Sequence, residues 1–331
     1  MSRPIKLIIQ IPCFNEEAVL PQTIADLPRQ VPGVDVVEWL IIDDGSSDRT
    51  VDVARSLGVD HVVSHTHNRG LAAAFMTGID ACLRAGADIV VNTDADNQYS
   101  GASIPDLVAP VVAGTAEMVV GERPIDSIDD FSRAKKVLQR VGSSVVRRFS
   151  GTGVRDAASG FRAYSRSAAM RVQVFGNYSY TMETIIQAGW NGITVASVPI
   201  AVNAKTRESR LVKSIPQYLS RSGQSIVRAF ALYKPFRFFF GIGLVPFLLG
   251  VALLLRWLVL YFISDVYTSR LPSLLTGIGL LLVAAQIWSV AFLADLQAAN
   301  RRVLQEIRLR GKELEFDRGI GPDDPTPPTG I

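Results

Sequence analysis

The sequence predicts a doubly wound, mostly parallel α/β sheet, followed by amphipathic interfacial helices and a two-helix transmembrane hairpin. Three observations lead there. Strand-like and helix-like stretches alternate four times between Ile5 and Asn92, with short connections. Polar, acidic turns follow the first, second and fourth of those strands, on the sheet edge where open α/β folds bind ligands. Near the C-terminus, Phe238–Leu255 and Leu271–Ala294 run for eighteen and twenty-four residues without a charge. Each is long enough to cross a hydrocarbon core of ~30 Å as a helix.

The elements follow in order. Ile5–Ile11 is a β-branched strand, broken by Pro12-Cys13-Phe14-Asn15-Glu16-Glu17, where Asn15 is expected to cap a helix running to about Leu27. Val34–Ile42 is the second strand and ends in Asp43-Asp44-Gly45-Ser46-Ser47-Asp48, with Ser47 or Asp48 capping the next helix. His61–Ser64 is a short third strand. Asn68-Arg69-Gly70 then turns into an Ala-rich helix, Leu71–Arg84, and Ile89–Asn92 leads into Thr93-Asp94-Ala95-Asp96. Two carboxylates one residue apart, just past a buried strand, can hold a hard divalent cation that in turn holds a diphosphate.

Composition bounds the rest. A chain of 331 residues, 48% hydrophobic, can bury a sizeable core. The net charge of +3 hides local bias: ten Lys/Arg against one Asp over 133–171, eight against one Glu over 205–237, and five against one Glu over 301–312. The last two clusters flank the hairpin, whose connection, Asp265–Arg270, is neutral. By the positive-inside rule both termini then face the cytoplasm. These patches adjoin apolar spans rather than a recognition helix or aromatic platform, which argues against nucleic acid. Two cysteines, Cys13 and Cys82, are too few for a disulfide framework, and His61, His65 and His67 lack partners at zinc-ligand spacing. No Walker or dinucleotide fingerprint follows any strand.

Arg133–Phe149 reads as an amphipathic helix with Leu138, Val141, Val145 and Phe149 along one stripe and Arg133, Lys136, Arg140 and Arg147 opposite. Ser214–Tyr233 reads likewise, and both suit a membrane interface. The Asp- and Pro-rich stretch after Lys312 has the composition of disorder. The implied organisation is a catalytic domain at 1–212, a juxtamembrane helix at 213–236, the hairpin at 237–295, and a basic segment with a disordered tail at 296–331.

The motifs Ile11–Glu17, Ile41–Asp48, Asn68–Gly70 and Thr93–Asp96 resemble, in order and spacing, those of glycosyltransferase family 2. Gly121-Glu122-Arg123 and Asp156-Ala157-Ala158-Ser159-Gly160-Phe161-Arg162 are similar to its dolichol-phosphate mannose synthase and polyprenyl-phosphate glycosyltransferase branch. The resemblance implies a GT-A fold, inversion at the anomeric carbon, a nucleotide-sugar donor and a polyprenyl phosphate acceptor. It also implies Mg²⁺ or Mn²⁺ at Asp94, Asp96 and Gln98. Pro12, Phe14, Glu16, Ile42, Asp44 and Ala95 would line the donor pocket, with Arg123 and one or more of Lys205, Arg207 and Arg210 at the phosphates. Val202–Arg210 departs from the branch pattern at Arg207, where a glycine is expected. Arg133, Lys136, Arg140 and Ser159 are the candidates for the acceptor phosphate. Gln187-Ala188-Gly189-Trp190 lacks the Gln-x-x-Arg-Trp of processive synthases, which points to transfer of a single sugar.

A phosphate monoester is already ionised near neutrality, its second pKa being ~6, so its oxygen can attack without a base. A rival reading, transfer to a lipid or protein hydroxyl, needs a carboxylate base, and Asp156 or Glu183 would serve. A second rival is a non-catalytic scaffold or flippase subunit. Membrane lipids and a second copy of the chain complete the expected partners.

Overall fold

The computed structural model describes residues 3–124, 142–148, 150–174, 180–203, 227, 231, 235–263 and 271–317. Seven strands form one sheet: β1 (Lys6–Cys13), β2 (Val36–Asp43), β3 (His61–Ser64), β4 (Ile89–Asn92), β5 (Met118–Glu122), β6 (Arg162–Ser165) and β7 (Val195–Pro199). Their order is β3-β2-β1-β4-β6-β5-β7. The first four are parallel, β6 is antiparallel to both β4 and β5, and β7 returns parallel to β5. The sheet is therefore mixed, with its parallel half over the N-terminal motifs.

Both faces are covered. α1 (Leu20–Asp26), α2 (Thr50–Ser56), α3 (Leu71–Arg84), α4 (Ile104–Val112), α5 (Arg166–Arg171) and α6 (Thr181–Trp190) follow in chain order, and 142–148 is also helical. Leu7, Ile9, Ile11, Ile41 and Val91 point to one face and pack with Leu20, Ile24, Ile104 and Leu107 from the α1 and α4 side. Ile8, Leu40, Ile42 and Val90, at alternate positions, are also buried, and Ile42 packs where a Cβ on Gly78 of α3 would sit. Burial on both faces explains why these strands read as continuous apolar runs.

The expected bounds of β3, α3 and β4 coincide with those observed, while β1 and β2 are displaced by one or two residues. The Asn15 cap is not what forms. Asn15 lies in the left-handed region (φ 54°), three residues of turn intervene, and the helix opens at Leu20 with Val19 at its N-cap. The Asn15 side chain instead accepts the Ser47 N–H at 2.8 Å. Neither Ser47 nor Asp48 is the N-cap of the next helix: Arg49 holds that position without a side-chain cap, and Asp48, one residue earlier, accepts the Thr50 N–H at 3.0 Å.

The chain divides into two compact units, Met1–Ile226 with Leu309–Ile331, and Val227–Arg308. The second holds α7 (Pro235–Ile263) and most of α8 (Leu271–Asp317), both long and apolar enough to cross a membrane. Only 11% and 17% of their most apolar windows is buried, which separates them from soluble core helices. They pack closely: a Cβ on Gly250 would stand 2.9 Å from the Gly277 carbonyl, and Trp288 stacks on Phe240 with ring centroids 5.2 Å apart.

The last turns of α8 belong to the first unit. There Lys312 Nζ meets Asp80 Oδ1 at 2.9 Å and Glu315 pairs with Arg84 at 2.5 Å, both partners on α3. Helix thus continues to Asp317, into the stretch whose composition reads as disorder. Residues 318–331, the cationic stripe at 133–140 and the segment 204–226 lie outside the described residues.

Candidate functional site

The site is built on the C-terminal edge of the parallel strands. Short polar side chains stitch three loops together there. The Asn15 N–H donates to Ser46 Oγ at 2.9 Å, Glu16 N–H to Thr50 Oγ1 at 2.9 Å, and Glu17 N–H to Asp48 Oδ2 at 3.2 Å. Asp44 is buried and gathers the third loop: it accepts Arg69 and Gly70 N–H, each at 2.8 Å, and its Oδ1 lies 2.7 Å from His65 Nδ1. Gly45 (φ 73°) lies so close that a Cβ would stand 2.6 Å from the His67 carbonyl carbon. Only glycine fits both the angle and the approach. Pro12 and Glu16 are buried at this edge, whereas the Phe14 side chain is exposed above it. Ile42 is turned under α3, so its side chain does not line the edge.

β4 ends at Asn92, and Asp94 and Asp96 follow, both half-buried. Ala95 O accepts the Thr23 hydroxyl at 2.8 Å, which anchors the loop between the two acids. Gln98 N–H donates to Asp96 Oδ1 at 3.2 Å, and Gln98 O accepts the Asn203 N–H at 2.9 Å. Asn203 Nδ2 also reaches the Asn97 carbonyl at 3.1 Å. Lys205 and Arg207 follow two and four residues later, outside the described residues.

Arg123 follows β5, and its guanidinium meets Asp156 through Nε–Oδ2 at 2.7 Å and Nη2–Oδ1 at 3.0 Å. Asp156 is fully buried. The resemblance aims Arg123 at phosphate, and the rival reading with a hydroxyl acceptor would use Asp156 as its base. In the structure each occupies the other, with Nη1 of Arg123 the edge not engaged by Asp156. Three residues on, the Ser159 hydroxyl is buried without a hydrogen-bond partner among the described residues. A buried hydroxyl left in that state can still donate a hydrogen bond.

Sequence reasoning missed what holds this loop. Gly160 N–H donates to the Tyr99 hydroxyl at 3.0 Å, and its carbonyl accepts Asn92 Nδ2 at 3.0 Å and the Tyr180 hydroxyl at 3.3 Å. A Cβ on Gly160 would stand 2.8 Å from the Tyr180 oxygen and 3.1 Å from the Asp94 carboxylate, so the loop at 156–161 is pressed against the acidic one. Arg162, fully buried, donates to the carbonyls of Ser159 (2.8 Å) and Ala157 (3.1 Å) and to Thr184 Oγ1 (2.6 Å). Burial pushes the Tyr99 pKa up to about 12, Arg123 pulling against that and Asp94 adding to it, so the hydroxyl keeps its proton. Arg162 closes the motif already legible at 156–162. Nothing in the sequence marks Tyr180, which reaches the site from the start of α6.

The family model described as glycosyl transferase family 2 matches residues 8–172. The UDP-N-acetylglucosamine–dolichyl-phosphate N-acetylglucosaminyltransferase of Methanococcus voltae is 30% identical over 212 residues, covering 57% of this chain and 82% of that protein. The chain belongs to glycosyltransferase family 2. Polyprenol monophosphomannose synthase of Mycolicibacterium smegmatis is 29% identical over 206 residues, 59% of this chain and 76% of that protein. Glucosyl-3-phosphoglycerate synthase from Mycobacterium tuberculosis superposes with a TM-score of 0.54 at 23% identity, covering 69% of this chain and 79% of that one. At that identity the likeness establishes the fold, a GT-A-like mixed sheet. The family 2 chain is thus a glycosyltransferase carrying two candidate membrane spans.

Proposed function

We propose that this glycosyltransferase moves a single sugar, with inversion, from a nucleotide-sugar donor to a polyprenyl phosphate at the cytoplasmic face of a membrane. The observation that carries the reading is the state of Asp156. A hydroxyl acceptor needs a base, and the carboxylate closest in motif to that role is buried and held bidentately by Arg123. A phosphate acceptor needs none. It needs donors to an anion: Nη1 of Arg123 and the Ser159 hydroxyl are two, and the sequence adds the cations Arg133, Lys136 and Arg140 outside the described residues.

Relatives support the acceptor class, since a mannosyltransferase of Micrococcus luteus named for undecaprenyl phosphate is 28% identical over 217 residues. The donor sits at the parallel edge, with Phe14 as a stacking face and Asp44, Pro12 and Glu16 shaping the pocket. Among the described residues no cluster of three His, Cys, Asp or Glu exists, but Mg²⁺ and Mn²⁺ are commonly held by one or two carboxylates plus substrate phosphates. Asp94 and Asp96, with Gln98, fit that donor set. Bound there, the cation would neutralise charge building on the departing nucleoside diphosphate. The glucosyl-3-phosphoglycerate synthase above has been solved with Mn²⁺ and UDP, which agrees with such a requirement. Cationic clusters flanking the two spans put both termini on the cytoplasmic side.

The test supplies nucleotide sugars with polyprenyl phosphate, or with the corresponding polyprenol, to full-length protein. Product should form on the phosphate alone, with a rate that falls as pH drops below ~6 and the acceptor takes up its second proton. Asp96→Ala should lower turnover at least about a hundredfold while leaving Tm unchanged. Transfer to the alcohol, or full activity of the variant, overturns the reading.

A further inference from the structure

α8 carries a second seam, opposite the one that packs on its own hairpin. Gly277, Ala284, Ala291 and Ala298 recur every seventh residue and are all buried within the second unit. With those at heptad position f, the a positions are Gly279, Gln286, Leu293, Asn300 and Ile307. The d positions are Leu275, Leu282, Ser289, Leu296 and Val303. Position f lies on the far side of a helix from the a/d stripe, so the buried and open faces are diametrically opposed. Arg310, at the next d, ends the stripe.

Lipid accounts for only part of this open face. A 47-residue helix is ~70 Å long, while ~20 residues cross the hydrocarbon core. From Asp295 onward α8 is charged, yet Val303, Leu304 and Ile307 are 60–65% exposed there, where water would meet them. Within the apolar run the opposite anomaly holds: Gln286 is exposed near the middle of a stretch that has no charge. An amide facing lipid is costly, and aliphatic side chains facing water are costly as well. One partner that follows the same 3.5-residue stripe removes both costs.

We infer that a second copy of this chain packs in parallel along the a/d stripe of α8, from Leu275 to Ile307, as a left-handed coiled coil. Three features select a second copy over another protein. Copies inserted in the same orientation bring identical helices together in parallel, so each layer faces itself. The two carboxamides of the stripe, Gln286 and Asn300, both fall at a, and a carboxamide is self-complementary, one group donating while its twin accepts. A lone polar residue at a is also the device that fixes register and strand number in coiled coils. Gly279, with nothing within 4 Å of a Cβ, lets the two backbones approach. The inference rests on the membrane placement proposed above.

The experiment uses full-length protein in native membranes. Val303→Cys places a thiol at d and Arg302→Cys one at c, on the far face; the native Cys13 and Cys82 are buried. Because a disulfide requires Cα atoms within ~7 Å, mild oxidation should link Val303→Cys chains into dimers at least about fivefold more than Arg302→Cys chains. Purified in detergent, the parent should have twice the 36.0 kDa chain mass and Ile307→Glu the mass of one chain. Equal linking of the two cysteine variants, linking only to other proteins, or a monomeric parent overturns the seam. Recovery of the parent in the soluble fraction after lysis instead overturns the membrane placement beneath it.

Discussion

The two sides of the Asp94–Asp96 loop are held in opposite ways. On the side proposed for the donor, loops following β1, β2 and β3 are stitched by Asn15, Asp44, Ser46 and Asp48, short side chains bonding to backbone a few ångströms away. On the side proposed for the acceptor, the loop at 156–161 is held by Tyr99, Asn92, Tyr180 and Arg162, all buried and two of them in strands β4 and β6. The donor side is a set of local turns resting on a finished fold. The acceptor side is part of the core itself. Damage to the first should therefore show in substrate affinity, and damage to the second in stability together with turnover.

The sharpest way to break the comparison is Arg123→Ala, which strands Asp156 in a fully buried position. Removing one partner of such a pair costs about 3–5 kcal/mol, and thermal or denaturant unfolding should show a loss of that size along with loss of turnover. Wild-type stability in this variant would mean that the acceptor side is not core.

Gly45→Ala breaks the donor side. The left-handed φ and the approach to the His67 and Asn68 backbone together should cost about 1–3 kcal/mol. Its main effect should be at least about a tenfold rise in donor KM with acceptor KM unchanged. A rise in acceptor KM instead would show that the two sides are not separable.

The smallest expected effect is outside both. Burial raises the Asp80 carboxyl pKa, but bonds and charges from Lys312 and Arg84 outweigh it, and the pKa lies below its ordinary value. A depressed carboxyl contributes stability above its unfolded pKa of ~3.9 and loses it as pH falls through the folded value. Asp80→Asn should lower Tm at pH 7 by an amount equivalent to at most about 1 kcal/mol, because the pair is partly solvated. The gap between variant and parent should close below about pH 4. A gap that persists at lower pH would assign the effect to packing.

The donor side was legible for the reason that makes it local. Asp43–Asp48, Asn68–Gly70 and Asp94–Asp96 are contiguous, and their spacing from the strands follows from chain geometry. α3 and β4 could be bounded because Gly70 and Asp94 punctuate them. Asn15 misled because its preference for helix caps and for left-handed turns are two uses of one short amide, and only the distant Ser47 decides between them. The Arg123–Asp156 pair was out of reach because it spans 33 residues and depends on β6 entering the sheet antiparallel between β4 and β5. The two motifs were visible; their mutual neutralisation was not. Tyr180 had no signal at all, since a tyrosine before a helix has many ordinary uses.

The ion pairs that fasten Lys312 and Glu315 to α3 carry a consequence of parity. The chain departs the catalytic unit after Ile226 and rejoins it at Leu309, so the intervening Val227–Arg308 is an excursion that returns to its starting point. An excursion of that kind can pass through a bilayer twice or not at all, but never once. If either α7 or α8 spans, the other must as well. A cut made after residue 226 to obtain a soluble enzyme then removes a brace of the catalytic unit along with the spans, and leaves Asp80 and Arg84 facing water.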